Sequence, residues 1–199
     1  IGYSLSMISS AILTSVGLHF FTYCFGYSSL KITILLSALL LFMAISQYFW
    51  YNLSKKEDKK PALLTGLLVS IVGVIVIMLS YVFKDVLGNM SFYIILIAIC
   101  IVGFGTGTLY SLPASMYLDV GKYINPQDDN GATMQSFLTF SYNIANAIAL
   151  FVVGVLLDII KFNPNESYQT RPTQTGIAII LFLGVLLSLI SSFLVFSKY

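Results

Sequence analysis

An all-α membrane protein with six transmembrane helices is the fold class that this sequence predicts, and three observations predict it. Hydrophobic residues make up 58% of the 199 positions and charged residues only 9%, where a soluble domain carries roughly a quarter charged. The apolar residues gather in six runs, each long enough for the ~20-residue helix that a bilayer core requires. Barrel strands are shorter and alternate with period two, a pattern absent here, so each segment must satisfy its own backbone as helix.

Span a is expected over Tyr3–Phe25. Ser15, His19, Thr22 and Tyr23 share one face of it. His19 is the one histidine. Its ordinary pKa suits a proton relay, and its blander role is a hydrogen bond to a neighbour. Span b is expected over Ile32–Leu53, with Gln47 ahead of "YFWYN", where Trp50 and the tyrosines suggest an interfacial belt. Span c, Ala62–Phe83, rests on run length.

Between b and c lies "SKKEDKKP", a short loop with Lys55, Lys56, Lys59 and Lys60. Lys122 and Lys198 fall on the same side, against Lys31, Lys84, Lys161 and Arg171 on the other. The bias toward that short loop predicts that it, and both termini, are cytoplasmic.

Span d, Ser91–Leu118, brings Gly103 and Gly107 onto one face, where small residues let another helix approach closely. Pro113 removes a backbone donor within it and predicts a kink. Asp119 then falls near the cytoplasmic interface with Lys122 three residues on, close enough for an i,i+3 pair. Pro113, Asp119 and Lys122 are candidate hinge and gate residues. Asp119 has two candidate partners, Lys122 or a basic group on another half of the protein.

Span e, Thr133–Ile160, aligns Ser136, Thr139, Asn143 and Asn146 at steps of three and four. An asparagine is too costly to face lipid. The stripe therefore faces either a solvated cavity that binds a solute or neighbouring helices that it hydrogen-bonds. Span f is expected over Gly176–Phe196.

Several classes are disfavoured. A net charge of +2 without a basic patch does not suggest nucleic acid. Cys24 and Cys100 sit in apolar runs and read as small hydrophobes, not as a metal pair or disulfide. No zinc, serine-hydrolase or P-loop motif is present, so neither an enzyme nor an ATP-driven pump is expected from this chain, and no cofactor is implied. The chain opens on Ile1 inside an apolar run, which suggests a piece of a longer protein.

Three short motifs carry a resemblance. "FFTYCFG" in span a resembles an aromatic run of the seventh helix of the glycoside–pentoside–hexuronide:cation symporters, the major facilitator family that includes the melibiose permease. "SMYLDVGKY" resembles the segment that closes that family's tenth helix, and "YQTR" (Tyr168 to Arg171) resembles the related sodium-dependent lysophosphatidylcholine symporters. Nearly the whole chain is covered, spans a to f matching helices seven to twelve.

The resemblance implies the C-terminal half of a twelve-helix transporter, built as two inverted three-helix repeats around the b–c loop. Its partners would be the lipid bilayer, an N-terminal six-helix half, a small solute (a sugar, glycoside or lysolipid) and, as a candidate, a coupling cation. A solute lining of His19, Tyr23, Asn143 and Asn146 is expected. The chain departs from the pattern in two places: Lys122 replaces the second aspartate of the helix-ten motif, and Asn143 stands where an embedded lysine is common. The family's cation-binding carboxylates belong mainly to the other half. A non-transporting structural subunit is the competing expectation.

Overall fold

The structure, a computed structural model, describes residues 2–124, 131–166 and 168–198. Ile1, and the middle of the connection between spans d and e, lie outside the described residues. Seven α-helices follow in order: α1 Gly2–His19, α2 Ser29–Glu57, α3 Lys59–Val82, the short α4 Lys84–Leu87, α5 Met90–Ile124, α6 Gly131–Ile159 and α7 Arg171–Lys198. Among the described residues there is no strand, and six helices are long and apolar enough to cross a membrane. The protein is an all-α polytopic membrane protein.

Several helices run past the apolar spans. The segment "SKKEDKKP" is not a loop: α2 continues through Lys55 and Lys56, and α3 begins at Lys59. Lysine and glutamate are good helix formers, and Pro61 falls in the first turn of α3, where its missing N–H costs little. The reversal is left to Asp58 alone, at φ 83° and ψ 160°. Few non-glycine residues adopt that backbone. The Asp58 carboxylate caps α3 by accepting from the Lys59 backbone N–H at 2.7 Å. α7 likewise begins at Arg171, ahead of the expected Gly176, because Pro172 is tolerated in a first turn.

α1 ends differently. Phe20–Cys24 continues it as a π-helical turn, and Gly26, at φ +64°, takes the chain out toward α2. Such turns displace the following side chains around the axis and recur at functional positions.

The packing has an internal order. The four main helix pairs are α3 with α5, α2 with α5, α1 with α7 and α1 with α6, in that order. Exchanging the triplet α1–α3 for α5–α7 maps this pairing onto itself, as an inverted repeat requires. The break between the triplets falls at α4, not at the α2–α3 junction. The equivalent helices α2 and α6 are the most peripheral. Only 11% and 17% of their most apolar stretches are buried, against 50% for α3.

Close approach explains the strongest pairings. A Cβ on Gly103 would lie 2.5 Å from the Leu39 carbonyl oxygen of α2, and one on Gly107 would meet Ser46. Gly105 lies against Gly66 and Ser70 of α3 in the same way. Onto this seam Gln47 donates to the Gly107 carbonyl at 3.0 Å and the Trp50 indole to the Phe104 carbonyl at 2.7 Å. Trp50 is 1% exposed, so the expectation of an interfacial residue is corrected for it. Tyr48 and Tyr51 remain exposed. The indole is buried because α5 offers it a carbonyl partner across the glycine-lined approach.

Candidate functional site

Cavities open into the bundle at two places that matter here. The first, of about 300 Å³, lies where α1 and α2 scarcely touch, and is closed behind by α3, α5 and α7. Its wall is aliphatic, with Leu13, Leu36, Leu40, Met43, Val74 and Val102 among its residues. Hydroxyls from Ser10, Thr14, Thr106 and Tyr110 interrupt that wall. Much of this polarity is turned back into the helices: Thr14 donates to the Ser10 carbonyl at 2.7 Å and Thr106 to that of Val102 at 2.9 Å. Ser9, deeper in, donates to the Gly184 carbonyl of α7 at 2.6 Å. What remains facing the cleft is mostly hydrocarbon.

The second cavity, of about 640 Å³, sits at the end of the bundle opposite the Lys55–Lys60 segment. The exit from α1, the α4 hairpin and the start of α7 surround it, and Tyr23, Lys84, Asp85 and Arg171 are among its lining. Lys84 donates to the Cys24 carbonyl at 3.2 Å. Just inside this end, the Tyr27 phenol meets the Ser91 hydroxyl at 3.2 Å. Burial pushes the Tyr27 pKa up, and that hydrogen bond opposes part of the rise.

His19 and Tyr23 are brought together. Their rings lie 6.2 Å apart, and both pack on Phe162, at 5.0 and 5.1 Å. Asn143 and Asn146 are not near them. Phe162 follows the end of α6, whereas Asn146 lies about 20 Å from that end along the helix. Asn143 is exposed and Asn146 half-buried, flanking the buried seam of Leu138, Ala145, Ala149 and Val153. The hydroxyls of Ser136 and Thr139 bond to the carbonyls of Ala132 and Gln135, both at 2.9 Å. Asn143 thus points away from this six-helix bundle, and the four expected lining residues fall into two separate pairs.

At the lysine end, Pro113 is buried within α5, which remains helical from Met90 to Ile124. Asp119 forms an ion pair with Lys59. The expected partner Lys122 is exposed and is not the one bonded. In the sequence Lys59 is only one charge in a biased cluster. Its role as a partner emerges from the antiparallel packing of α3 on α5.

Over residues 1–199 the sequence matches the family described as MFS/sugar transport protein. The chain belongs to this family. Members of the MFS are membrane transporters, which assigns the chain to a transport family. No curated protein matches the chain. In this MFS transporter the two helix triplets pair as an inverted repeat.

Proposed function

We propose that the chain is the C-terminal half of a secondary transporter that moves an amphipathic small solute by alternating access. The family match supports transport, and the cleft between α1 and α2 supports an amphipathic cargo. A sugar alone presents hydroxyls that need hydrogen-bond partners when desolvated. An aliphatic wall supplies few of them, but it suits the alkyl portion of a glycoside or lysolipid at roughly 25 cal/mol per Å² of apolar area removed from water. The polar portion would be met by Asn143 and Asn146 across the path, and by His19 and Tyr23 at its far mouth. The exposure of Asn143 leaves it available to a second six-helix half or to a solvated passage between the halves.

Pro113 and the Lys59–Asp119 pair lie at the lysine end, where we place the hinge and gate. The lysine end is taken as cytoplasmic. A coupling cation, if one is used, would be held mainly by the other half.

The test is uptake by the full-length native protein in proteoliposomes, using alkyl glycosides of increasing chain length against the free sugar. Uptake should rise with chain length until the cleft is filled. Equal or faster uptake of the free sugar would remove the amphipathic assignment.

A further inference from the structure

The cavity at the end opposite the lysine segment is more than twice the volume of the apolar cleft and has a different chemistry. Its walls are held by side chains already committed to the backbone. Gln174, 9% exposed, donates to the Gln169 carbonyl at 3.1 Å. Gln169, 4% exposed, donates to the Asn163 carbonyl at 2.7 Å and accepts from the Asn163 N–H at 3.3 Å. The connection between α6 and α7 is therefore braced as a wall, and the Cys24 thiol ties that wall to the exit of α1 through the Gln174 carbonyl at 3.5 Å.

The charges set into this frame are not spent in the same way. The Arg171 backbone carbonyl accepts from the Thr175 hydroxyl at 3.0 Å, but its guanidinium has neither an ion pair nor a hydrogen bond among the described residues, where the single ion pair is Lys59–Asp119 at the other end. Lys84 uses a donor on the Cys24 carbonyl and lies 5.0 Å over the Tyr81 ring, which leaves other ammonium hydrogens available. Asp85 is the one carboxylate of the lining and pairs with neither cation. Two cations from different connections thus line one cavity with an excess of positive charge, and Tyr23 and Tyr168 line it too.

We infer that this cavity is a binding site for a phosphate-type oxyanion, distinct from the apolar cleft. Arg171 offers a planar fork that matches two oxygens of a phosphate, and Lys84 a compact point charge. Neither contact requires the transported solute to be amphipathic, so the inference stands apart from the proposed cargo. The oxyanion is either carried on a soluble molecule that enters the mouth or belongs to the headgroup of an anionic lipid lodged at the rim. The exposed setting of Arg171 makes either interaction sensitive to ionic strength.

The experiment uses the full-length protein and two probes. Glycerol 3-phosphate is titrated in detergent by calorimetry, and retention of phosphatidylglycerol over phosphatidylcholine is read by native mass spectrometry. Arg171→Gln and Lys84→Gln should each weaken the bound probe about ten- to a hundredfold, the range for losing one charge-assisted hydrogen bond. Lys56→Gln, at the opposite end, should leave it unchanged. Asp85→Asn removes the opposing charge and should tighten binding, a gain that misfolding cannot produce. Effects confined to glycerol 3-phosphate identify a soluble oxyanion, and effects confined to phosphatidylglycerol identify a lipid headgroup. The inference is overturned if neither probe binds, or if binding to Arg171→Gln and Asp85→Asn matches the parent protein.

Discussion

Lys59, the first residue of α3, is ion-paired with Asp119 near the end of α5. Both charges stand at the wrong ends of their helices. A cation at a helix N-terminus and an anion near a C-terminus each oppose the helix dipole by up to about 1 kcal/mol. The pair offsets this by tying α3 to α5 at the end where the proposed gate lies, across the most extensive helix contact in the bundle.

That arrangement predicts an unusual charge swap. Lys59→Asp or Asp119→Lys alone places like charges together and should lower thermal stability in detergent by about 1 kcal/mol or less, the scale of a solvent-accessible pair. The double swap restores the pair and also places each charge at its favourable helix end. It should therefore match or exceed the parent protein's melting temperature. A double variant less stable than both singles would count against the pairing.

Trp50 is the single tryptophan, so its environment can be read directly. Its burial against Phe104 predicts blue-shifted emission that acrylamide and brominated lipids quench poorly. Trp50→Phe keeps most of the packing but removes the donor, at a cost of about 1 kcal/mol. Strong quenching by lipids brominated near the headgroup would return Trp50 to the membrane interface.

The seam of α5 predicts a contrast among glycines. Gly103→Ala, Gly105→Ala and Gly107→Ala each push a methyl into α2 or α3 and should cost about 1–3 kcal/mol. A Cβ on Gly154 of α6 meets nothing within 4 Å, so Gly154→Ala should be neutral or stabilising by about 0.5–1 kcal/mol through backbone entropy. Thermal denaturation of the set distinguishes these outcomes, and equal effects at all positions would contradict the packing described for α5.

Much of the fold was legible because lipid imposes a single rule, that each spanning segment satisfies its own backbone. Run length alone placed the helices. It did not find their ends, since polar residues such as Lys55 and Lys56 lower hydropathy whether the helix continues through them or stops before them. The site was less legible. His19 and Tyr23 lie one turn apart on one helix, and their proximity follows from periodicity. Asn143 and His19 lie on different helices, and their axial offset depends on where each helix begins relative to its neighbour. Trp50 was misplaced because a carbonyl partner on α5 leaves no mark in the sequence around it. The Lys59 partner of Asp119 was hidden for the same reason.

Orientation and the α6 stripe can be tested together by cysteine labelling with a membrane-impermeant maleimide. Lys56→Cys should react only from the cytoplasmic side. If Asn143 faces the proposed solvated path, Asn143→Cys should react, whereas Ile148→Cys, exposed on another side of the same helix, should be shielded by lipid. Reaction at Lys56→Cys from outside sealed cells would reverse the proposed orientation. Equal shielding at Asn143 and Ile148 would remove the solvated path.

The proposal of an amphipathic cargo rests on the cleft between α1 and α2, and filling that cleft tests it most directly. Thr106 is half-buried on its α5 wall, and Thr106→Phe would put an aromatic ring into the cavity of about 300 Å³ and narrow it. Initial rates of alkyl-glycoside uptake should be measured in proteoliposomes for the parent protein and for Thr106→Phe, with the melting temperature of each recorded alongside. The account predicts that Thr106→Phe keeps a near-parent melting temperature and loses most uptake, the loss growing with alkyl length. Unchanged uptake at every chain length would show that the solute does not pass through this cleft.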